Sequence, residues 1–223
     1  MFDESLINKE PYKTAFTHRS YLNETPEVKV SNERLEFLGD VVLSFIVSAY
    51  LYERRPSDAE GDLTNLRSYM VKTGSLALAS QKLGLGQYLR LSKGEEQSGG
   101  RENEQLLANV FEALLGAIYL DQGIEEARKF VHQNLFPLFE KEIKEGPPKD
   151  SKSLLQEIAQ NQTKQSPKYK ILETWGPDHA KEFKVGVFLQ GKQIGEGQGP
   201  SKQIAEEGAA TEGLQYLGKQ GEV

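Results

Sequence analysis

Four polar side chains set into two apolar stretches are the groups in this sequence best placed to do chemistry. Glu36 and Asp40 stand four apart within Ser31–Arg54, so on a helix they share one face. Asn109 and Glu112 stand three apart between Glu104 and Leu120 and share a face in the same way. An ionised carboxylate inside an apolar element is costly unless it pairs with a cation or binds a metal. Two helices that each present oxygen donors at this spacing make a bundle-core metal site. The donors are all hard oxygens, the chain has no cysteine, and no histidine is near in sequence. Mg²⁺, with Mn²⁺ as substitute, therefore suits them better than zinc. The same spacing also suits acids that face solvent or pair with a basic side chain, and Arg34 and Arg67 are available for that. Spacing leaves both readings open.

The elements that must position these groups are helices. Leu35, Leu38, Val42, Phe45, Ile46 and Ala49 follow the three-and-four spacing of one helix face. Ser31 or Asn32 caps the start, and Glu33 suits the positive end of the dipole. Phe37, Val41 and Leu43 place apolar groups on the other sides, which predicts a helix buried all round. A second helix is predicted over 104–120, stopped by Gly123, with shorter ones near 63–69, 74–83 and 124–140. No comparable strand signal precedes residue 150. The longest nearly apolar run, Val41 to Tyr52, has 12 residues and is too short to span a bilayer, so no membrane partner is expected. The N-terminal residues show neither a basic n-region nor a long apolar run, which predicts a cytoplasmic protein.

Gly146-Pro147-Pro148 cannot continue a helix and marks a linker over 146–150. It predicts two domains, 1–145 and 151–220. Beyond it, residues 153–161 read as helix and Phe183, Val185, Val187 and Leu189 alternate as a half-buried strand does. Strands around Tyr169–Trp175 and Ile194, with a closing helix capped by Ser201, complete an α-β-β-β-α unit. The predicted fold is mainly α, an all-helical domain followed by that small unit. Net charge is −6, which read alone argues against a nucleic-acid partner. Residues 1–150 carry 18 Lys+Arg against 24 Asp+Glu, whereas 151–223 carry 9 of each, so the acidity belongs to the helical part.

Glu33-Arg34-Leu35-Glu36-Phe37-Leu38-Gly39-Asp40 strongly resembles the signature of ribonuclease III, the double-stranded-RNA endonucleases. Thr17-His18-Arg19-Ser20-Tyr21, Glu60-Gly61-Asp62-Leu63-Thr64 and Phe111 to Asp121 resemble three further motifs of that family, in order. Gly176-Pro177-Asp178-His179 and Gly195 to Ala210 resemble a double-stranded-RNA-binding domain, so the likeness covers nearly the whole chain. It implies Mg²⁺-assisted hydrolysis of RNA phosphodiesters, with Glu36, Asp40, Asn109 and Glu112 as metal ligands and Asp40 and Glu112 as catalytic groups. It implies staggered cuts that leave 5′-phosphates and short 3′ overhangs, in processing of ribosomal and other structured RNAs. It also implies a homodimer with Phe37 as the knob inserted into the partner and Gly39 permitting close approach. His18 is expected to be a packed, hydrogen-bonded histidine rather than a catalytic one.

Two departures from the family pattern matter. Asn109 stands where aspartate is usual and brings an oxygen but no charge, which predicts weaker metal affinity. The alternative reading is a duplex-RNA-binding protein with a weak or inactive nuclease half. In the tail, Gln156, Gln160, His179, Ser201 and Lys202 are the RNA-binding residues that the resemblance implies. Gln203 replaces a usual lysine and Glu206 and Glu207 follow, which predicts weak RNA affinity with a shallow salt dependence.

Overall fold

In the computed structural model, which describes residues 4–177 and 180–219, the apolar stretches with helical spacing are helices and the alternating one is a strand. Two short helices, α1 (Tyr12–Ala15) and α2 (Arg19–Leu22), precede the long α3 (Glu33–Arg54). Then come α4 (Glu60–Val71), α5 (Thr73–Lys82), α6 (Lys93–Gln97), α7 (Glu104–Asn134) and α8 (Glu140–Glu145). The chain divides into two compact units, Met1–Pro147 and Pro148–Val223.

The pair α3 and α7 forms the centre of the first unit. Leu35, Val42, Leu43, Ile46, Val47 and Leu51 line the inner side of α3, and Val110, Phe111, Leu114, Leu115 and Ile118 line that of α7. Each such side chain stabilises the fold by about 1.5–3 kcal/mol on burial. Helices α1, α4 and α5 close the core around them, with Tyr12, Phe16, Leu66, Met70 and Leu76 buried.

Helix α3 is not buried all round. Phe37 is 76% exposed and Val41 and Phe45 are each 56% exposed, because among the described residues of the unit no element covers its outer side. At 22 residues it is longer than the apolar run within it and passes the length and composition test for a bilayer span. Its inner side, packed along α7, marks it instead as a core helix.

Gly123 stops the helical segment that carries Asn109 and Glu112, as the sequence predicts. Its φ of 83° and ψ of −178° are not helical, and the rest of α7 is a second helical segment that runs on from this kink to Asn134. Pro137 ends that segment's continuation, where 3₁₀ geometry at Phe136–Phe139 separates α7 from α8. Among the described residues of the first unit, the only β-bridge is an isolated pair between Thr17 and Arg90.

The second unit is α9 (Ser151–Thr163), β1 (Lys168–Trp175), β2 (Glu182–Leu189), β3 (Lys192–Gly199) and α10 (Lys202–Lys219). The strands form an antiparallel sheet in the order β1-β2-β3. Gln190 and Gly191, with φ of 52° and 82°, make the tight turn between β2 and β3. Leu155, Ala159, Val187, Leu189, Ile194 and Ala209 join both helices to one face of the sheet.

Candidate metal centre and RNA-binding face

Helices α3 and α7 touch backbone to backbone at two glycines. A Cβ on Gly39 would stand 1.8 Å from the Glu112 carbonyl oxygen, and one on Gly116 would stand 2.4 Å from that of Leu35. Only residues without a side chain permit this approach. Gly39 therefore serves a contact inside the chain, not the approach of a partner. The consequence is chemical, since Asp40 adjoins Gly39, Glu36 stands one turn before it, and Glu112 belongs to the same contact.

The three carboxylates sense one another. Burial and the charges of Asp40 and Glu36 push the Glu112 carboxyl up to about 8. Glu36 is also raised, by burial and then by Glu33 and Asp40. Asp40 is exposed, whereas Glu36, Asn109 and Glu112 are partly covered, so the cluster opens to solvent on one side. The acids are less enclosed than helices buried all round would make them.

Neither arginine offered by spacing neutralises this cluster. Arg67 donates to the Ser48 hydroxyl at 3.3 Å, and among the described residues Glu36, Asp40 and Glu112 make no ion pair with either arginine. Glu33, one turn earlier, accepts from the Ser31 hydroxyl at 2.8 Å and faces Arg19 at 3.6 Å. Asn109 is placed differently from the carboxylates. Its Oδ1 accepts a hydrogen bond of 2.7 Å from Gln105 Nε2.

Among the described residues, no three acidic or histidine side chains form a ready-made cage for an ion. That arrangement still fits Mg²⁺, which keeps several waters and is held by one or two carboxylates together with substrate phosphate. Three acids without a cation, with the Glu112 carboxyl raised first by burial and then by Asp40 and Glu36, are a donor set that a divalent ion would satisfy.

His18 caps α2. Its Nδ1 accepts from the Ser20 backbone N–H at 3.3 Å and lies 2.8 Å from the Ser20 hydroxyl. Burial is the main cause that lowers its pKa. This is a structural histidine.

Beside Phe37 lies a groove of about 650 Å³, lined by Pro11, Val30, Leu35, Leu38 and Leu120 among others. The exposed stripe of α3 and this groove are adjacent apolar surfaces on one unit. Large patches of that kind mark interaction sites.

In the second unit Gln156 and Gln160 lie one turn apart on the exposed side of α9, opposite buried Leu155 and Ala159. Ser201 Oγ accepts from the Ile204 N–H at 3.2 Å and so caps α10, leaving Lys202 exposed at its first turn. Gln156 and Gln203 line one cavity of about 610 Å³ between the two helices. His179 lies outside the described residues. Glu206 and Glu207, which follow Gln203, both tie α10 to α9. Glu206 accepts from Lys152 Nζ at 2.6 Å and Glu207 from the Ser151 N–H at 2.5 Å. Gly195 and Gly197 let α10 rest on β3, since a Cβ there would meet the Ala209 and Ala205 carbonyl oxygens at 2.6 and 2.3 Å.

Two functional features escaped the sequence. Gly116 matched a motif without a stated role, and only its meeting with Leu35 reveals one. Gln105 stood four residues before Asn109, a spacing that does signal a side-chain pair on a helix.

Comparison with known proteins agrees with this geometry. Residues 8–138 match the family described as Ribonuclease-III-like, and residues 151–217 match the double-stranded RNA binding motif. Ribonuclease 3 of Lactococcus lactis subsp. cremoris is 45% identical over 217 residues, covering 95% of this chain and 93% of that protein. Ribonuclease 3 of Streptococcus gordonii is 47% identical over 199 residues, covering 89% and 85%. The nuclease domain of ribonuclease III from Campylobacter jejuni superposes with a TM-score of 0.54 at 36% identity, covering 63% of this chain and 91% of that one. That structure is described as flexible in a region involved in dimer formation. With a helical nuclease half, a duplex-RNA-binding half and relatives matched over nearly its full length, the chain belongs to the ribonuclease III family, the double-stranded-RNA endoribonucleases.

Proposed function

We propose that this endonuclease is Mg²⁺-dependent and acts as a homodimer, leaving 5′-phosphates and short 3′ overhangs in the processing of ribosomal and other structured RNAs. The observation that carries the metal dependence is the meeting of Glu36, Asp40 and Glu112 at the Gly39–Gly116 crossing with no ion pair to Arg34 or Arg67. Glu36, Asp40, Asn109 and Glu112 would hold the ion, which supplies activation of water and charge neutralisation at the scissile phosphate. Asp40 is the exposed acid of the three. Glu112 is more covered, and burial with the neighbouring acids holds its carboxyl up to about 8. Asn109 adds an oxygen and leaves the site one charge poorer than four acids would.

The dimer is supported by the exposed Phe37 and the adjoining groove, which together give each copy a knob and a socket. A two-fold pair would face two such clusters toward one duplex, one per strand. Gln156, Gln160 and Lys202 would read the minor groove and phosphates of that duplex, with Ser201 at a helix N-terminus that favours phosphate.

Chelator-stripped protein incubated with end-labelled duplex RNA tests the reading. Cutting is expected only with Mg²⁺ or Mn²⁺, with at least a hundredfold loss in Glu112→Ala. Binding without cutting at any metal concentration would overturn the metal-dependent mechanism. Phe37→Glu is expected to sediment as a monomer, and a dimer of unchanged affinity would remove Phe37 from the interface.

A further inference from the structure

Asparagine differs from aspartate as a ligand in one respect that the structure brings out. Either oxygen of a carboxylate serves a cation, whereas only one end of an amide does, and the other end presents N–H donors. An amide at position 109 therefore needs its orientation set. Gln105 Nε2 donates to Asn109 Oδ1 at 2.7 Å, from one turn earlier on α7. The backbone of Gln105 is fixed by the helix cap, since its N–H donates at 2.9 Å to Oδ1 of Asn103, and the side chain extends from that turn toward Asn109. A carbonyl oxygen carries two lone pairs, so accepting from Gln105 leaves the second free.

We infer that Gln105 is a positioning residue for Asn109, fixing which end of its amide is offered to a divalent cation. The inference rests on the proposed metal site and deepens it. It pairs the departure at position 109 with a partner that a charged aspartate does not need. Groups that orient a metal ligand from behind change affinity by about 10–100-fold when lost. A surface pair whose bond to Asn109 is partly open to water belongs at the lower end of that range.

A double-mutant cycle on the full chain tests this, with Mn²⁺ binding to stripped protein followed by electron paramagnetic resonance and calorimetry. Gln105→Leu is expected to weaken Mn²⁺ binding about tenfold when residue 109 is asparagine. In the Asn109→Asp background the same substitution is expected to change binding less than twofold, since a carboxylate needs no orientation. Equal losses in both backgrounds, or no loss with asparagine, would overturn the inference. Urea unfolding of each variant separates a general effect on α7, which would lower both backgrounds alike. Failure of the underlying metal reading looks different. There the unsubstituted protein would bind no Mn²⁺, or would bind it equally well after Glu112→Gln.

Discussion

Gly39→Ala tests the helix crossing on which the site depends. The added Cβ would stand 1.8 Å from the Glu112 carbonyl oxygen and 2.6 Å from its carbon. Non-bonded carbon and oxygen need more than about 3 Å, so α3 and α7 must part by roughly 1 Å. Overpacking of this kind costs about 1–3 kcal/mol, and here both sides are backbone with no rotamer to yield, so about 3 kcal/mol applies. Alanine returns about 1 kcal/mol of helix propensity, which leaves a net loss of about 2 kcal/mol. Urea unfolding in chelator measures it, with Gly74→Ala as comparison. Gly74 lies in the first turn of α5 with nothing within 4 Å of an added Cβ, so that variant should gain a few tenths of a kcal/mol. A 1 Å shift of Glu112 relative to Asp40 should also lower the cutting rate about a hundredfold. If Gly39→Ala unfolded at the same urea concentration as the unsubstituted protein and cut RNA at the same rate, the crossing would not position the site.

Glu112→Gln should stabilise the metal-free protein at alkaline pH. The carboxyl is raised from 4.5 to about 8 on folding, so its contribution is full below pH 4.5 and lost as pH rises through 8. Thermal melts in chelator should show the unsubstituted protein falling behind the variant between pH 5 and 9, by on the order of 1–2 kcal/mol after allowance for solvent at this partly open site. Equal pH profiles would contradict the crowding of the three acids. Lys202→Ala should lower the steepness of the log–log salt dependence of duplex binding by about one, because one phosphate contact is lost. An unchanged salt slope in filter binding would place Lys202 away from RNA.

The helices were legible because spacing alone identifies a face. Leu35, Val42 and Ile46 mark one side of α3 whatever lies beyond it, and alternation marks β2 with equal economy. The donor chemistry was legible too, since residue types state that Glu36, Asp40, Asn109 and Glu112 offer hard oxygens and no thiolate. What covers a face is not local information. Phe37, Val41 and Phe45 have the composition of core residues, and only the positions of the other helices show that no described element of the first unit covers them. Gly39 reads as room for a partner until α7 occupies that room.

The sequence by itself determined the elements, most of their apolar faces and the hard-oxygen character of the candidate donors, because propensity, period and side-chain chemistry act over a few neighbouring residues. Tertiary structure decided which acids meet, that the Glu112 carboxyl is held up to about 8, and that Glu206 pairs with Lys152 across the two helices. Those outcomes depend on distances between residues remote in the chain. Desolvation and Coulomb interaction change steeply over a few ångströms, and only packing sets them.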